Sequence, residues 1–389
     1  MKRRKNVLGI ILVLYMIFSM TACSLNELKN LENLKIKESY DEEDDEDSKN
    51  EKDTDRKKEH DNNESESENS AELESEKSEE EETDKTTPSF IEKKEFAEAS
   101  PNDSYKNIAV FCVDSVTGEL YGSTKSKGIM VLSINERTKE VKLANVQHLT
   151  YWNIDGEDTY AQAWLAYNDG PAAAITALNI NLDLAITDYI TIGFDGMEQL
   201  AENVGGVEAY IDADEMNMMN ENTVKYLPDE MEDNLASIEK TGLQTLDSIQ
   251  TVAYFMGNLR TLGGFMVVER QQEIVENLVI KLMSMDDEYV NYIFDDLYTK
   301  NIATSLDKKD YLDLVSQVLD SGISKMYCFP AKELAEPKVI GAKGSCLCPV
   351  DLSQNAIEMH RFLFNDNEYQ PTQSLQEYSL EIQKIISAY

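Results

Sequence analysis

Gln271 stands where the chain's own pattern calls for an apolar residue. Val267, Gln271, Ile274, Leu278 and Leu282 recur at helical spacing and form one stripe. A polar amide in such a stripe points inward. It must find partners there or cost on the order of 1–3 kcal/mol. Two readings stay open: a core glutamine satisfied by backbone, or an amide lining a pocket. Cys23 is a second residue with chemistry in prospect. Lys2, Arg3, Arg4 and Lys5 precede an uncharged, mostly apolar run from Val7 to Ala22, which ends in Met20-Thr21-Ala22-Cys23. A basic start before an apolar core is the pattern of a secretory signal. Small residues before a cysteine are similar to a bacterial lipobox, in which the peptide is cut and Cys23 carries the lipid. Met20 takes the place usual for leucine. The run is short for a spanning helix, which needs about 20 apolar residues. The alternative is an uncleaved short anchor. Either way the positive end stays inside and the rest of the chain goes out.

The remaining cysteines are Cys112, Cys328, Cys346 and Cys348. An exported location permits a disulfide from Cys328 to Cys346 or Cys348, but spacing does not establish one. Three histidines and no paired C-x-x-C motif argue against a metal site built on these cysteines. No Walker loop, dinucleotide fingerprint, H-E-x-x-H or G-x-S-x-G motif is present.

Between the signal and the globular part lies an acidic stretch. Asp41 to Thr86 holds 23 Asp or Glu against 7 Lys or Arg and no aromatic residue, with Ala71 and Leu73 as its only apolar members. Such a chain buries too little surface to offset its ordering entropy, so residues 24–104 are expected to be a disordered tether. From Tyr105 to Tyr389 the composition turns globular, with 44 acidic and 20 basic residues. That balance argues against nucleic acid, which requires a basic footprint.

The elements that must position these residues alternate in type. Asn107 to Val113 reads as a buried strand, and Ile129–Ile134 with Glu140–Val146 as a hairpin. Helices are expected over Tyr160–Tyr167 and from Pro171 towards Leu178. A strand over Tyr189–Phe194 precedes a helix through Met197, Leu200 and Ala201 that Gly205-Gly206 stops. Val207–Ile211 is expected as a strand. Helices follow over Leu246–Phe255, Val267–Met283, Asp307–Leu319 and Leu352–Phe364. This order predicts a three-layer α/β/α domain around a mixed sheet.

The segment order resembles the LytR-CpsA-Psr family of cell-envelope proteins. The stretches that carry the resemblance are Ile129 to Asn135, Asp188-Tyr189 with Phe194-Asp195-Gly196, and Asn203 to Val207. Gly242-Leu243, Ala253-Tyr254 and Glu269-Arg270-Gln271-Gln272 complete the set. The resemblance covers about Asn107 to Leu282, with core residues 107–284 and a C-terminal extension over 285–389. It implies a phosphotransferase that moves a glycopolymer from a pyrophosphate-linked polyprenyl carrier onto peptidoglycan. It also implies an apolar tunnel for the prenyl tail, arginines on the pyrophosphate, aspartates on a magnesium ion, and a location outside the bacterial cytoplasmic membrane.

Carried over by position, the site is depleted. Asp114 fills the place of the first aspartate, as candidate catalytic and metal-binding residue. Ser115, Val116 and Thr117 stand where an arginine is expected. Arg-Ser-Asp-Thr becomes Lys125-Ser126-Lys127-Gly128, and Pro-Arg-Asp-Thr becomes Gln147-His148-Leu149-Thr150. Arg-x-Arg becomes Met256-Gly257-Asn258, and Val267 replaces another arginine. Arg270 and Gln271 remain as catalytic candidates. Lys125, Lys127 and His148 are substrate-binding candidates that restore some positive charge without bidentate geometry. Magnesium is in doubt, and transfer activity is expected to be weak or absent. An active diverged transferase is the alternative.

Overall fold

Along Tyr105–Val113 (β1), Ile108 and Cys112 enter one hydrophobic cluster, while Ala109, Phe111 and Val113 enter another. A strand whose two faces are both buried must lie inside a sheet covered on both sides. The computed structural model describes residues 104–115, 120–121, 124–222, 227–257 and 265–389. The expected signal, the lipidated Cys23 and the acidic tether lie outside those residues.

In chain order, β1 is followed by β2 (Ser126–Asn135), β3 (Val141–Val146), β4 (Tyr151–Asn153), β5 (Tyr160–Gln162) and a 3₁₀ turn over Ala163–Asp169. Then come α1 (Pro171–Leu182), β6 (Asp188–Ile192), α2 (Phe194–Asn203), β7 (Val207–Ile211), α3 (Ala213–Asn217) and α4 (Asp229–Asn234). The next elements are β8 (Gly242–Leu246), α5 (Ser248–Met256), α6 (Phe265–Met283), α7 (Asp287–Lys300), β9 (Ile302–Thr304) and α8 (Lys308–Ser321). The chain ends with β10 (Lys325–Phe329), β11 (Ala335–Val339), β12 (Ser345–Pro349), α9 (Leu352–Phe364) and α10 (Gln373–Ile386).

The main sheet has the order β10-β3-β2-β1-β6-β9. β1 pairs antiparallel with β2 and parallel with β6, so the sheet is mixed as expected. The β2–β3 hairpin turns on Asn135, whose side chain accepts the N–H groups of Arg137 and Thr138 at 3.0 and 2.9 Å. One face packs against α2, α5, α6, α7 and α8, the other against α1, α9 and α10. This is the three-layer α/β/α arrangement. Residues 285–389 are woven into it, because β9 and β10 form the two edges of the main sheet. Lys142, on β3, is 2% exposed and donates to Phe362 O, Leu363 O and Asn365 Oδ1 at 2.7, 3.3 and 3.0 Å. It thereby ties the last turn of α9 to the sheet.

Two expected helices differ from the structure. Tyr160–Tyr167 is a short strand running into a 3₁₀ turn, paired with Tyr151–Asn153. Leu246 closes β8, and α5 starts only at Ser248. Asp247 and Gln250 form a capping box there, each side chain accepting the other residue's backbone N–H. The four described cysteines are free thiols.

Candidate functional site

An apolar cavity of ≈ 260 Å³ lies between the sheet and the helices on the α2/α5/α6 face. β1 and β2 contribute Cys112 and Met130, β6 contributes Ile190, and the helices contribute Phe255, Ile274 and Phe294. Helical periodicity in α6 puts Ile274, Val275 and Leu278 on the wall. Gln271 is 1% exposed and is not among the lining residues. Its amide donates to Lys127 O at 3.2 Å and to Phe255 O at 3.5 Å. The stripe therefore turns the glutamine inward, and backbone carbonyls satisfy it. Gly128 marks the same end of the cavity. A Cβ there would stand 2.9 Å from Cys112 Cβ and 3.2 Å from the Phe255 ring, so β1, β2 and α5 meet at contact distance.

Beyond that end, β1 and β2 carry the charged residues. Asp114 follows β1 directly. Its Oδ1 accepts the Lys125 N–H at 2.6 Å, and its own N–H donates to Lys125 O at 3.0 Å. Burial raises the Asp114 carboxyl above the usual carboxylate range. The Lys125 N–H and the Lys127 and Lys125 charges oppose that rise. Burial lowers the Lys127 pKa, the Asp114 charge opposes that lowering, and the Lys125 charge adds to it. The Lys125 ammonium stands over the Trp164 ring, 5.3 Å from its centre, which is a cation–π contact. Asp114, Lys125 and Lys127 thus form one group, and Gln271 reaches its backbone.

His148 joins this group by proximity but not by charge. It is 3% exposed, and burial followed by the Lys127 charge pushes its imidazole down to about 3. The ring is neutral at neutral pH, so the expected extra positive charge is not supplied. Arg270 also departs from expectation. Its side chain is 2% exposed, its Nε donates to Tyr254 O at 3.2 Å, and its Nη2 donates to Gly257 O. Those carbonyls end α5, so the guanidinium acts as the cap of that helix. It also lies 5.5 Å from the centre of the Tyr254 ring, and the Tyr254 hydroxyl stands 3.0 Å from Glu215 Oε1. Burial lowers the Arg270 pKa, and the charge of Glu215 is the largest influence opposing this.

Among the described residues the donor set does not fit a magnesium ion. Asp114 is the one carboxylate in the described group, an N–H holds one of its oxygens, and two lysines stand beside it. Magnesium takes six oxygen ligands and leans on carboxylates for charge. Among the described residues no three His, Cys, Asp or Glu side chains form a group that could hold a metal.

The family model LytR_cpsA_psr matches residues 45–335. A polyisoprenyl-teichoic acid–peptidoglycan teichoic acid transferase, TagU of Enterococcus faecalis, is 26% identical over 163 residues, which are 42% of this chain and 48% of that protein. The chain thus matches about half the length of this relative. Among solved structures, TagT bound to LIIa-WTA superposes with a TM-score of 0.53 at 16% identity, covering 72% of this chain and 96% of that one. TagV of B. subtilis gives 0.52 at 18%, covering 70% and 100%. A Streptococcus agalactiae protein gives 0.54 at 15%, covering 71% and 92%. At these identities the superpositions establish a shared fold. With the family model covering well over half of the sequence, the chain belongs to the LytR_cpsA_psr family.

Proposed function

We propose that this chain is an extracytoplasmic cell-envelope protein that takes a polyprenyl (pyro)phosphate lipid into its apolar cavity and has little or no glycopolymer transfer activity of its own. The observation that carries this reading is the pairing of an apolar cavity with a depleted charged group at its end. Lipid uptake depends on buried area, at about 0.8 kcal/mol per methylene, and the cavity wall supplies that area. Phosphoryl transfer depends on positioned positive charge and on metal. Among the described residues, one carboxylate and two lysines stand where the resemblance implies several arginines and aspartates. Arg270, which the resemblance keeps, caps a helix. Peptidoglycan and a teichoic-acid-like polymer are the proposed partners, following the transferase name of the Enterococcus relative.

The test is to incubate the purified protein with a polyprenyl-pyrophosphate-linked glycan, peptidoglycan and magnesium. Lipid binding without turnover is the expected result. Turnover matching an active family member, lost on Asp114→Ala, would overturn it and establish the second reading, an active diverged phosphotransferase. That second reading is favoured by the retained contact of Asp114 with Lys125 beside Lys127.

Attachment at the outer face of the cytoplasmic membrane through a lipidated Cys23 belongs to the same proposal, on the strength of Thr21-Ala22-Cys23 after the apolar run. Mass analysis of the mature N-terminus decides it. An intact Met1 leaves the uncleaved anchor instead.

A further inference from the structure

An edge strand presents backbone groups that no neighbouring strand pairs, and folded chains shield such edges. Most edges here are shielded or too short to pair. β4, β5 and β9 have three residues each. On β10, Tyr327 O accepts the side-chain amide of Gln272 at 3.0 Å. β11 carries Pro337 and Lys338 in its middle. The ribbon of β7 and β8 differs, because only one of its two edges is covered. On the β7 edge, the Tyr210 N–H donates to Glu273 Oε1 at 2.9 Å, and Glu208 O accepts from Asn277 Nδ2 at 2.8 Å.

Those two contacts fix which way the β8 backbone points. Tyr210 pairs with Leu243, and Glu208 pairs with Thr245. Tyr210 and Glu208 turn these backbone groups towards α6, so both are non-hydrogen-bonded pairs of the ribbon. The N–H and C=O groups of Leu243 and Thr245 therefore point away from β7. Among the described residues none of them has a partner. The surface around them is open: Leu243 is 66% exposed, its neighbour Tyr210 is 61% exposed, and Thr245 is exposed too. No proline, lysine or bulge interrupts Gly242–Leu246. The edge is also sharply bounded. Gly242 has a φ of 101°, which turns the preceding residues off the strand line, and Asp247 caps α5.

We propose that β8 pairs antiparallel with β8 of a second copy of this chain, across a two-fold axis at Gln244. The short edge dictates the register. Leu243 of one copy stands opposite Thr245 of the other, and the reverse holds by symmetry. Two N–H and two C=O groups from each copy then form four hydrogen bonds with none left over. Sliding either strand by two residues sets one of them opposite Thr241 or Asp247, outside the strand. The ribbon becomes a four-stranded sheet, and its exposed face runs from Tyr210 and Leu243 into Thr245 and Glu208 of the second copy. Charge at the ends agrees with this pairing. Lys240 precedes the strand and Asp247 follows it, so an antiparallel arrangement brings each lysine towards the other copy's aspartate.

The test follows the oligomeric state of the full-length protein in mild detergent, by sedimentation over a range of concentrations. High salt screens the repulsion between two acidic copies. A reversible dimer is expected. Thr245→Pro deletes an N–H that the single copy does not use, and so removes one hydrogen bond per copy. Association about 25-fold weaker is expected, at about fivefold for each bond. Leu243→Glu removes apolar contact and adds a like charge to each copy, and it is expected to abolish the dimer. Leu380→Glu, at an exposed position of α10, adds the same charge elsewhere and is expected to leave the dimer intact. Thermal melts verify that the variants fold. A disulfide trap reads the register. Gln244→Cys sets two thiols across the axis in a non-hydrogen-bonded pair, with Cα atoms about 4.5 Å apart and within disulfide reach. Thr245→Cys sets them two residues out of step. Oxidised glutathione is expected to link the first variant, and neither the second nor the parent. A parent that stays monomeric, a dimer indifferent to both edge substitutions, or equal trapping of the two cysteine variants would overturn the proposal.

Discussion

Replacing Arg270 with methionine keeps most of its apolar volume and removes the guanidinium. Two carbonyl oxygens, of Tyr254 and Gly257, then lose their donor in a site that water does not reach. Hydrogen bonds to charged groups contribute about 1.5–3 kcal/mol each. Against that stands the relief of desolvating a buried cation, whose Nη1 has no partner among the described residues. Glu215 also loses the positive charge that faces it. The net expectation is a destabilisation of about 3 kcal/mol. For a domain of this size that corresponds to a melting temperature lower by roughly 6–12 °C. Arg270→Lys restores charge but not a fork that spans two carbonyls, so it recovers only a minor part. Urea denaturation measures the change, with a shifted midpoint and an unchanged slope. The reasoning is refuted if Arg270→Met stays within about 1 kcal/mol of the parent while dodecyl phosphate affinity drops tenfold. That pattern would assign the guanidinium to the ligand instead of the helix.

His148 makes stability depend on acid. Its folded pKa of about 3 lies below the unfolded value near 6.5, so its contribution is complete above pH 6.5 and is lost as pH falls towards 3, at about 1.4 kcal/mol per unit. Urea midpoints taken from pH 7 to pH 4 are expected to fall less steeply for His148→Gln than for the parent, and parallel profiles would count against a buried neutral imidazole. Gly128→Ala sets a methyl 2.9 Å from Cys112 Cβ and 3.2 Å from Phe255, which costs about 1–3 kcal/mol of overpacking and narrows the cavity end. Its melting temperature and its uptake of dodecanol are both expected to fall, and an unchanged uptake would place the lipid elsewhere.

Much of the layered fold was legible because burial on both faces leaves an unbroken apolar signature. Asn107–Val113 and Ile129–Ile134 carry it, and they became the sheet centre. Leu352–Phe364 was bounded correctly because an Asp351 cap and an apolar stripe agree. The segments that escaped notice are short or mixed. β9 has three residues and β10 five, and each pairs with a single neighbour, so neither needs an apolar run. α7 places Val290, Ile293 and Leu297 inward, but its acidic residues dilute the pattern. The error at Leu246–Phe255 was avoidable. Asp247 followed by Gln250 is a capping box, and it marks a helix start after Leu246.

The sequence named the residues that the structure groups, but not what each of them touches. Asp114, Lys125 and Lys127 come together because β1 and β2 are neighbours in sequence and antiparallel in space, whereas the hairpin pattern read from the sequence joined only β2 to β3. The charge state of His148 depends on what covers it, and the Phe329 carbonyl that receives the Gln147 N–H comes from a strand far along the chain. The task of Arg270 depends on where α5 ends, which is a tertiary fact.

These roles bear on one another through charge. In the resemblance, a phosphate is held by arginines that face it from several elements. Among the described residues of this chain, the corresponding end of the cavity offers two lysines, one carboxylate and a neutral imidazole. A lysine holds phosphate as a point charge on a flexible stem, so it attracts the group without fixing its orientation. On the proposed function, binding would tolerate that looseness, because the apolar cavity would hold the tail. Transfer does not, since a misplacement of about 1 Å costs on the order of a hundredfold in rate. Restoring arginine at Lys127 alone should therefore tighten phosphate binding and leave turnover near zero. The described residues would still offer no second carboxylate for a metal, and Arg270 would remain occupied with α5. Calorimetry and the transfer assay on Lys127→Arg read these two quantities separately. Turnover appearing with that single substitution would show that the remaining residues already form a competent site.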